Sequence, residues 1–171
     1  MFHIEINETQ TANYMLPIRA VRRVLKGTWE SIGEYWQKKF LPFHFTTQAY
    51  QRYGYARRAI ATLKKKKKLA TKGKVEGGGL LPLVHSGVMR RALTGFRQRM
   101  SAYPTRVTIH LVGPSYLTTN YKPGRPHLSK EVLAVSSEER EELTKHGHDV
   151  MFKLLEHESK RNASSKRFKS K

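Results

Sequence analysis

Cysteine is missing from all 171 positions. That removes disulfides and thiolate chemistry, and it suits a reducing compartment. Long apolar runs are missing too: no window approaches the ~18 consecutive apolar residues of a membrane-spanning helix, so no membrane partner is expected. The opening residues Met1 to Gln10 have no basic flank leading into an apolar stretch and do not read as a secretory signal. Acids are scarce, 13 Asp and Glu against 33 Lys and Arg, for a formal charge of +20. Between Tyr35 and Lys130 the scarcity is near total, with Glu76 the one acid among twenty bases. The flanks are balanced: four bases and four acids precede that stretch, and nine bases and eight acids follow it. A folded body with so much uncompensated charge repels itself and gains from a polyanion or an acidic protein face.

Recognisable chemistry is also lacking. The acids lie outside the middle, so no carboxylate pair can form there. His146 and His148 stand two apart on a predicted helix and face different directions, whereas a helical metal pair needs steps of three or four. His44, His85 and His110 are scattered singles. Ser86 before Gly87 lacks the flanking glycine of a nucleophile elbow. Gly77-Gly78-Gly79 is not followed by the Lys-Ser or Lys-Thr of a phosphate cradle. The expectation is a non-enzymatic protein with no catalytic or metal-ligating residues and no cofactor.

What is present is a modest aromatic core. The hydrophobic share is 38%, with two Trp, seven Phe and eight Tyr, too aromatic for a wholly disordered chain. The length favours one domain, expected over residues 1–158 with a basic tail over 159–171. Phe2, Ile4 and Ile6 alternate as in a short strand. Pro17 opens a predicted helix in which Ile18, Val21, Leu25, Trp29, Ile32, Trp36 and Phe40 recur at steps of three and four, with a break possible at Gly27 and an end at Pro42. Thr46 or Thr47 is the expected cap of a short helix through Tyr50 and Tyr53. Leu63 to Gly79 reads as a flexible basic arm, because five consecutive lysines repel one another and carry no apolar period.

Ser86-Gly87 opens a short helix with Val88 and Ala92 inward and Arg90 and Arg91 outward. Arg106 to Val112 alternates as a strand that Gly113-Pro114 stops. Tyr116 to Tyr121 is a weaker extended segment. Ser136 and Glu139 form a capping box for a last helix with Leu143, Val150, Met151, Leu154 and Leu155 as its stripe and Gly147 as a soft spot. The tail after Glu158 has almost nothing to bury and is expected to be disordered. The fold class is therefore α+β, with the two long helices packed on a small antiparallel sheet.

Two sets of residues stand out. Lys64, Lys65, Lys66, Lys67, Lys68, Lys72 and Lys74, with Arg57, Arg58, Arg90 and Arg91, are candidates for contact with a partner or with nucleic acid. Trp29, Trp36, Phe40, Tyr53 and Tyr55 are candidates for core or subunit contacts. Tyrosines interleaved with arginines could stack on unpaired bases, or pack on a core rim while the arginines face water.

Four stretches together resemble a known family. They are Trp36…Phe40-Leu41-Pro42…His44-Phe45-Thr46; Tyr53-Gly54-Tyr55…Arg57; Pro82-Leu83-Val84-His85-Ser86-Gly87-Val88-Met89-Arg90-Arg91-Ala92-Leu93; and Pro126-His127-Leu128…Glu131…Ala134-Val135-Ser136…Glu139. The chain is similar, over roughly Trp29 to Leu155, to the virion morphogenesis proteins of tailed bacteriophages, the neck, tail-terminator and tail-completion proteins. The resemblance implies a small α/β structural subunit of the virion, assembled in the host cytoplasm. Its copies would form a homo-oligomeric ring, with a hexamer as the candidate symmetry. The ring would meet neighbouring neck and tail-tube proteins, and contact with DNA is open. The alternative is a basic nucleic-acid-binding protein, ribosomal or chromatin-like, although no RRM, KH, zinc-finger or helix-turn-helix signature is legible.

Overall fold

Buried residues at Val24, Thr28, Trp29 and Ile32 lay an inward face along the first helix, α1 (Ile18–Tyr35). A computed structural model of the chain describes residues 16–55, 58–74, 83, 87–95, 98–117 and 127–169. The predicted strand at Phe2–Ile6, Arg57, Gly77–Gly79 and Ser86 lie outside them. The fold is α+β, mostly helical with a two-stranded antiparallel sheet. It forms two compact units. The first is built from the described parts of 2–35, 100–109 and 138–171, the second from those of 36–99 and 110–137.

In the first unit α1 meets α6 (Ser137–Lys169) and a hairpin. Val24, Met151 and Leu155 form a buried cluster, edged by Leu16, Leu25, Phe152 and Leu154. Each such side chain contributes about 1.5–3 kcal/mol on full burial. Gly147 is not a soft spot but a contact point. A Cβ there would lie 2.8 Å from Ile32 Cδ1 and 3.9 Å from Thr28 Cγ2, so only a bare Cα lets the two helices approach this closely. Gly27 does not break α1 either; the helix runs through it, with Leu154 Cδ1 3.1 Å from where a Cβ would stand. Ile18, expected on the apolar face, is exposed.

The hairpin is β1 (Arg99–Tyr103) and β2 (Arg106–His110). The second strand lies within the predicted Arg106–Val112 but ends at His110; the first is not legible in the sequence, since Arg-Met-Ser-Ala-Tyr has no β-branched residue. Trp29 Nε1 donates to the carbonyl of Pro104 in the connecting turn at 3.1 Å. A Cβ on Gly33 would overlap Met100 Sδ and come to 3.0 Å from Val107 Cγ2. Trp29 and Gly33 together thus seat α1 on the hairpin.

The last helix runs further than expected. Residues 159–169, predicted as a disordered tail, continue α6. Its Lys, Arg and Ala residues are good helix formers. The Lys160–Glu156 pair at 2.6 Å, four residues apart, supports the extension. Glu158 also receives Arg23 at 2.8 Å and Arg161 at 3.5 Å.

The second unit begins with a π-helical turn, Trp36–Phe40, and a 3-10 turn, Leu41–Phe45, where a regular helix up to Pro42 was expected. The i→i+5 bonding of a π turn brings residues five apart onto one side. Trp36, Phe40 and Leu41 are accordingly all buried. Short helices follow: α2 (Ala49–Arg52), α3 (Ile60–Ala70), α4 (Val88–Thr94) and α5 (Leu128–Val132). Neither threonine caps α2; its N-cap is Gln48, and Thr46 Oγ1 bonds back to the Phe43 carbonyl at 2.8 Å. Gly87 opens α4 at φ 75°, the left-handed region that glycine tolerates. That entry phases the helix so that Met89 and Leu93 point inward instead of Val88 and Ala92. Of the segment Tyr116 to Tyr121, expected to be extended, Tyr116 and Leu117 lie in a 3-10 turn, Ser115–Leu117, and the rest lies outside the described residues.

A single polar residue ties this unit together. Gln98 is buried, and its Nε2 donates to the Ala92 and Leu93 carbonyls at 3.1 and 3.2 Å, the open end of α4. Its Oε1 accepts from Val112 N at 2.5 Å. Its own backbone exchanges two bonds with the Gln37 amide, 3.1 and 3.4 Å.

Candidate polyanion-docking surface

The largest correction to the sequence reading falls on the lysine run. The expected arm is a helix across residues 60–70. No glycine or proline interrupts it, and straight-chain lysines lose little rotamer freedom in a helix. Its end is closed by Gly73, at φ 67°. Gly73 N bonds the Ala70 carbonyl at 2.9 Å and Lys74 N bonds the Leu69 carbonyl at 3.0 Å, the paired bonds of a glycine-closed C-terminus. Gly73 therefore acts as a stop signal and not as a source of flexibility.

The five lysines are not equivalent. Lys64, Lys65, Lys67 and Lys68 are exposed, as are Lys72 and Lys74 beyond the helix. Lys66 is turned inward and only 6% exposed. Burial lowers its pKa from the usual lysine value, and the nearby Arg58 guanidinium adds to the shift. No acid occurs in α3, so its exposed ammonium groups have no counter-charge on their own helix.

Arg58, a candidate docking residue, is placed differently. It forms a two-pronged ion pair with Glu131 at 3.0 and 2.5 Å, both side chains about nine-tenths buried. Two parallel N–H···O bonds satisfy the fork of the guanidinium. The pair holds the segment before α3 to α5. Arg91 is exposed and Arg90 half-buried, and both already make contacts within the chain.

The aromatic candidates lie mainly inside. Trp29, Trp36, Phe40 and Tyr55 are buried, and Tyr53 is half-buried. In the second unit Trp36, Tyr53 and Tyr55 surround His44, which is fully buried. The Tyr53 ring stacks on the imidazole at 3.9 Å between centroids, and Trp36 meets it edge-on at 6.0 Å. Nδ1 bonds the Tyr55 hydroxyl. Nε2 and the Trp36 indole nitrogen are buried without a hydrogen-bond partner. Burial pushes the His44 pKa down to about 3; the Glu131 main chain opposes the shift and Arg52 adds to it. His44 is thus a neutral core residue. Arg52 lies over the Phe43 ring at 5.2 Å, using the rim of the same cluster.

In the first unit, Ser31 Oγ lies 3.0 Å from His146 Nε2. The Tyr35 ring stacks on that imidazole at 4.2 Å, and its hydroxyl donates to Glu142 at 2.5 Å. Serine and histidine are at the distance of a nucleophile and its base. The Glu142 carboxylate accepts the tyrosine hydroxyl. The arrangement joins α1 to α6. Among the described residues no group of three or more His, Asp or Glu is placed to hold a metal ion, and no described helix is long and apolar enough to cross a membrane.

Neither Lys66 nor Arg58 could be told from its neighbours by sequence. Five identical residues give no clue to which faces inward, and Arg58 and Glu131 are 73 residues apart. Comparison with known protein families, with characterised proteins and with solved structures returns no match.

Proposed function

We propose that this chain is a structural docking subunit of a tailed-phage particle, one copy of a ring at the head–tail junction or the tail terminus. The observation that carries the docking role is the mounting of uncompensated charge on α3. Arg58 and Arg23 are neutralised inside the chain by Glu131 and Glu158, while the exposed lysines of α3 have no acid on their helix. Such a surface gains most from an acidic neighbour. The placement in a phage particle is supported by the sequence resemblance. The neighbours on this reading are the other neck and tail-tube proteins, and the charged helix α3 orders the sequence of assembly by favouring one acidic face.

The test is a mass measurement in solution, on the purified chain alone and mixed with the neck and tail-tube proteins of the same particle. A ring or a stable hetero-complex is expected. A monomer that joins none of them overturns the proposal.

The absence of any acid from α3 also favours a second reading, binding to nucleic-acid phosphates. A salt series with duplex DNA separates the two. Each phosphate neutralised adds about −0.9 to the log–log slope, so a steep slope favours the nucleic-acid reading. Negligible affinity at about 0.15 M salt removes it.

A further inference from the structure

The charge on α3 is interleaved with apolar surface. Ile60 is 72% exposed and Leu63 39% exposed, on a helix with no acid. At about 100° per residue, Ile60, Leu63, Lys64 and Lys67 fall within a sector about 100° wide. Lys66, the residue turned inward, lies outside that sector. Two aliphatic side chains therefore stand in water among ammonium groups on one face.

We infer that α3 docks, by the Ile60–Leu63–Lys64–Lys67 face, into an acidic groove with an apolar floor on a partner protein. This rests on the docking role proposed above and names the kind of surface that role requires. A duplex backbone offers phosphates to the lysines and nothing to Ile60 or Leu63. An anionic lipid surface rewards a broader apolar face, usually with aromatic residues, and α3 has no aromatic residue. A groove on a protein takes both kinds of side chain at once, as in other helix-in-groove complexes. Ordering within the free chain helps as well. The buried Lys66 and the Gly73 closure fix the rotation and the end of α3 before any partner arrives, which lowers the entropy cost of docking.

The test uses the full chain and four probes: polyglutamate, a random glutamate–tyrosine copolymer, a short duplex DNA, and vesicles of phosphatidylcholine and phosphatidylserine. Two variants accompany the wild type. Ile60→Asn with Leu63→Gln keeps every charge and alters exposed positions only. Lys64→Gln with Lys67→Gln removes the charge of the same face.

The wild type is expected to bind the copolymer about tenfold more tightly than polyglutamate at equal charge, a difference of about 1.4 kcal/mol. The Ile60/Leu63 variant is expected to lose that preference and to keep its affinity for polyglutamate and duplex. If binding depends on the lysines but the Ile60/Leu63 variant matches wild type on every probe, the inference fails while the docking role stands. A duplex preferred over the copolymer, or vesicles as the one probe sensitive to Ile60 and Leu63, overturns the inference in favour of nucleic acid or lipid. If the lysine variant binds all four probes as the wild type does, the docking role assigned to α3 fails first.

Discussion

Acid should loosen the second unit through His44. The imidazole is fully buried and its pKa is pushed down to about 3, mainly by burial. In the unfolded chain it titrates near 6.5. Between those values the unfolded chain binds a proton that the folded one refuses, so stability rises with pH across the window and falls on acidification. One pKa unit corresponds to about 1.4 kcal/mol, so lowering the pH from about 7.5 to about 4.5 should cost roughly 2.5 kcal/mol from this group.

The informative variant is His44→Phe combined with Tyr55→Phe. It removes the Nδ1–hydroxyl bond from both sides and leaves rings of similar size. Replacing both partners of a buried bond by apolar groups is close to neutral, whereas removing one strands the other. Urea unfolding followed by tryptophan fluorescence at several pH values measures the difference, with Trp36 6.0 Å from His44 as the reporter. The variant should lose stability less steeply than wild type between about pH 6.5 and 4.5, by about 1 kcal/mol or more per pH unit. Equal slopes would refute the neutral, buried imidazole.

Three further outcomes follow from named contacts. Gln98→Ala leaves two carbonyls of α4 and the Val112 N–H without their partner and should cost about 3 kcal/mol, read as a lower urea midpoint with an unchanged far-UV spectrum in the native baseline. Gly147→Leu forces a side chain into the space of Ile32 and Thr28; overpacking of this kind costs about 1–3 kcal/mol, and a thermal melt should show it, whereas a leucine accepted without loss would mean the helices can part. Lys66→Met removes a charge whose pKa burial lowers. A lowered lysine binds fewer protons folded than unfolded below 10.5, so wild-type stability should rise with pH approaching that value. The variant should be more stable near neutral pH and show less of that rise, by the same melts repeated at alkaline pH.

The parts legible in the sequence were those with a period or a stop signal of their own. The steps from Trp29 to Ile32, the alternation from Arg106 to His110 and the acidic start of α6 each declare an element locally. So does Gly87, which marks the start of a short helix, although the phase that puts Met89 and Leu93 inward is not legible there. Other features are fixed by partners far away in the chain. Strand β1 exists because β2 and α1 hold it, not because Met100-Ser101-Ala102 prefer to be extended. Gln98 looks like any polar loop residue until it is seen against α4, Val112 and Gln37. His44 looked like a scattered single because nothing adjacent announces the Tyr53 stack or the Tyr55 hydroxyl. In the lysine run two effects compete: like-charge repulsion favours an open loop, but helix propensity and the Gly73 closure together hold residues 60–70 helical.

One consequence of the inward Lys66 concerns insertions. Because the residues on either side of it are identical, adding one lysine to the run would leave a lysine available for the inner seat whichever way the chain slipped. Charge and composition of the outer face would scarcely change. Yet everything upstream of the insertion, Ile60 and Leu63 included, would be re-phased by about 100° relative to Leu69 and Ala70. Length polymorphism in this tract would therefore retarget the helix while remaining nearly silent to any assay of net charge.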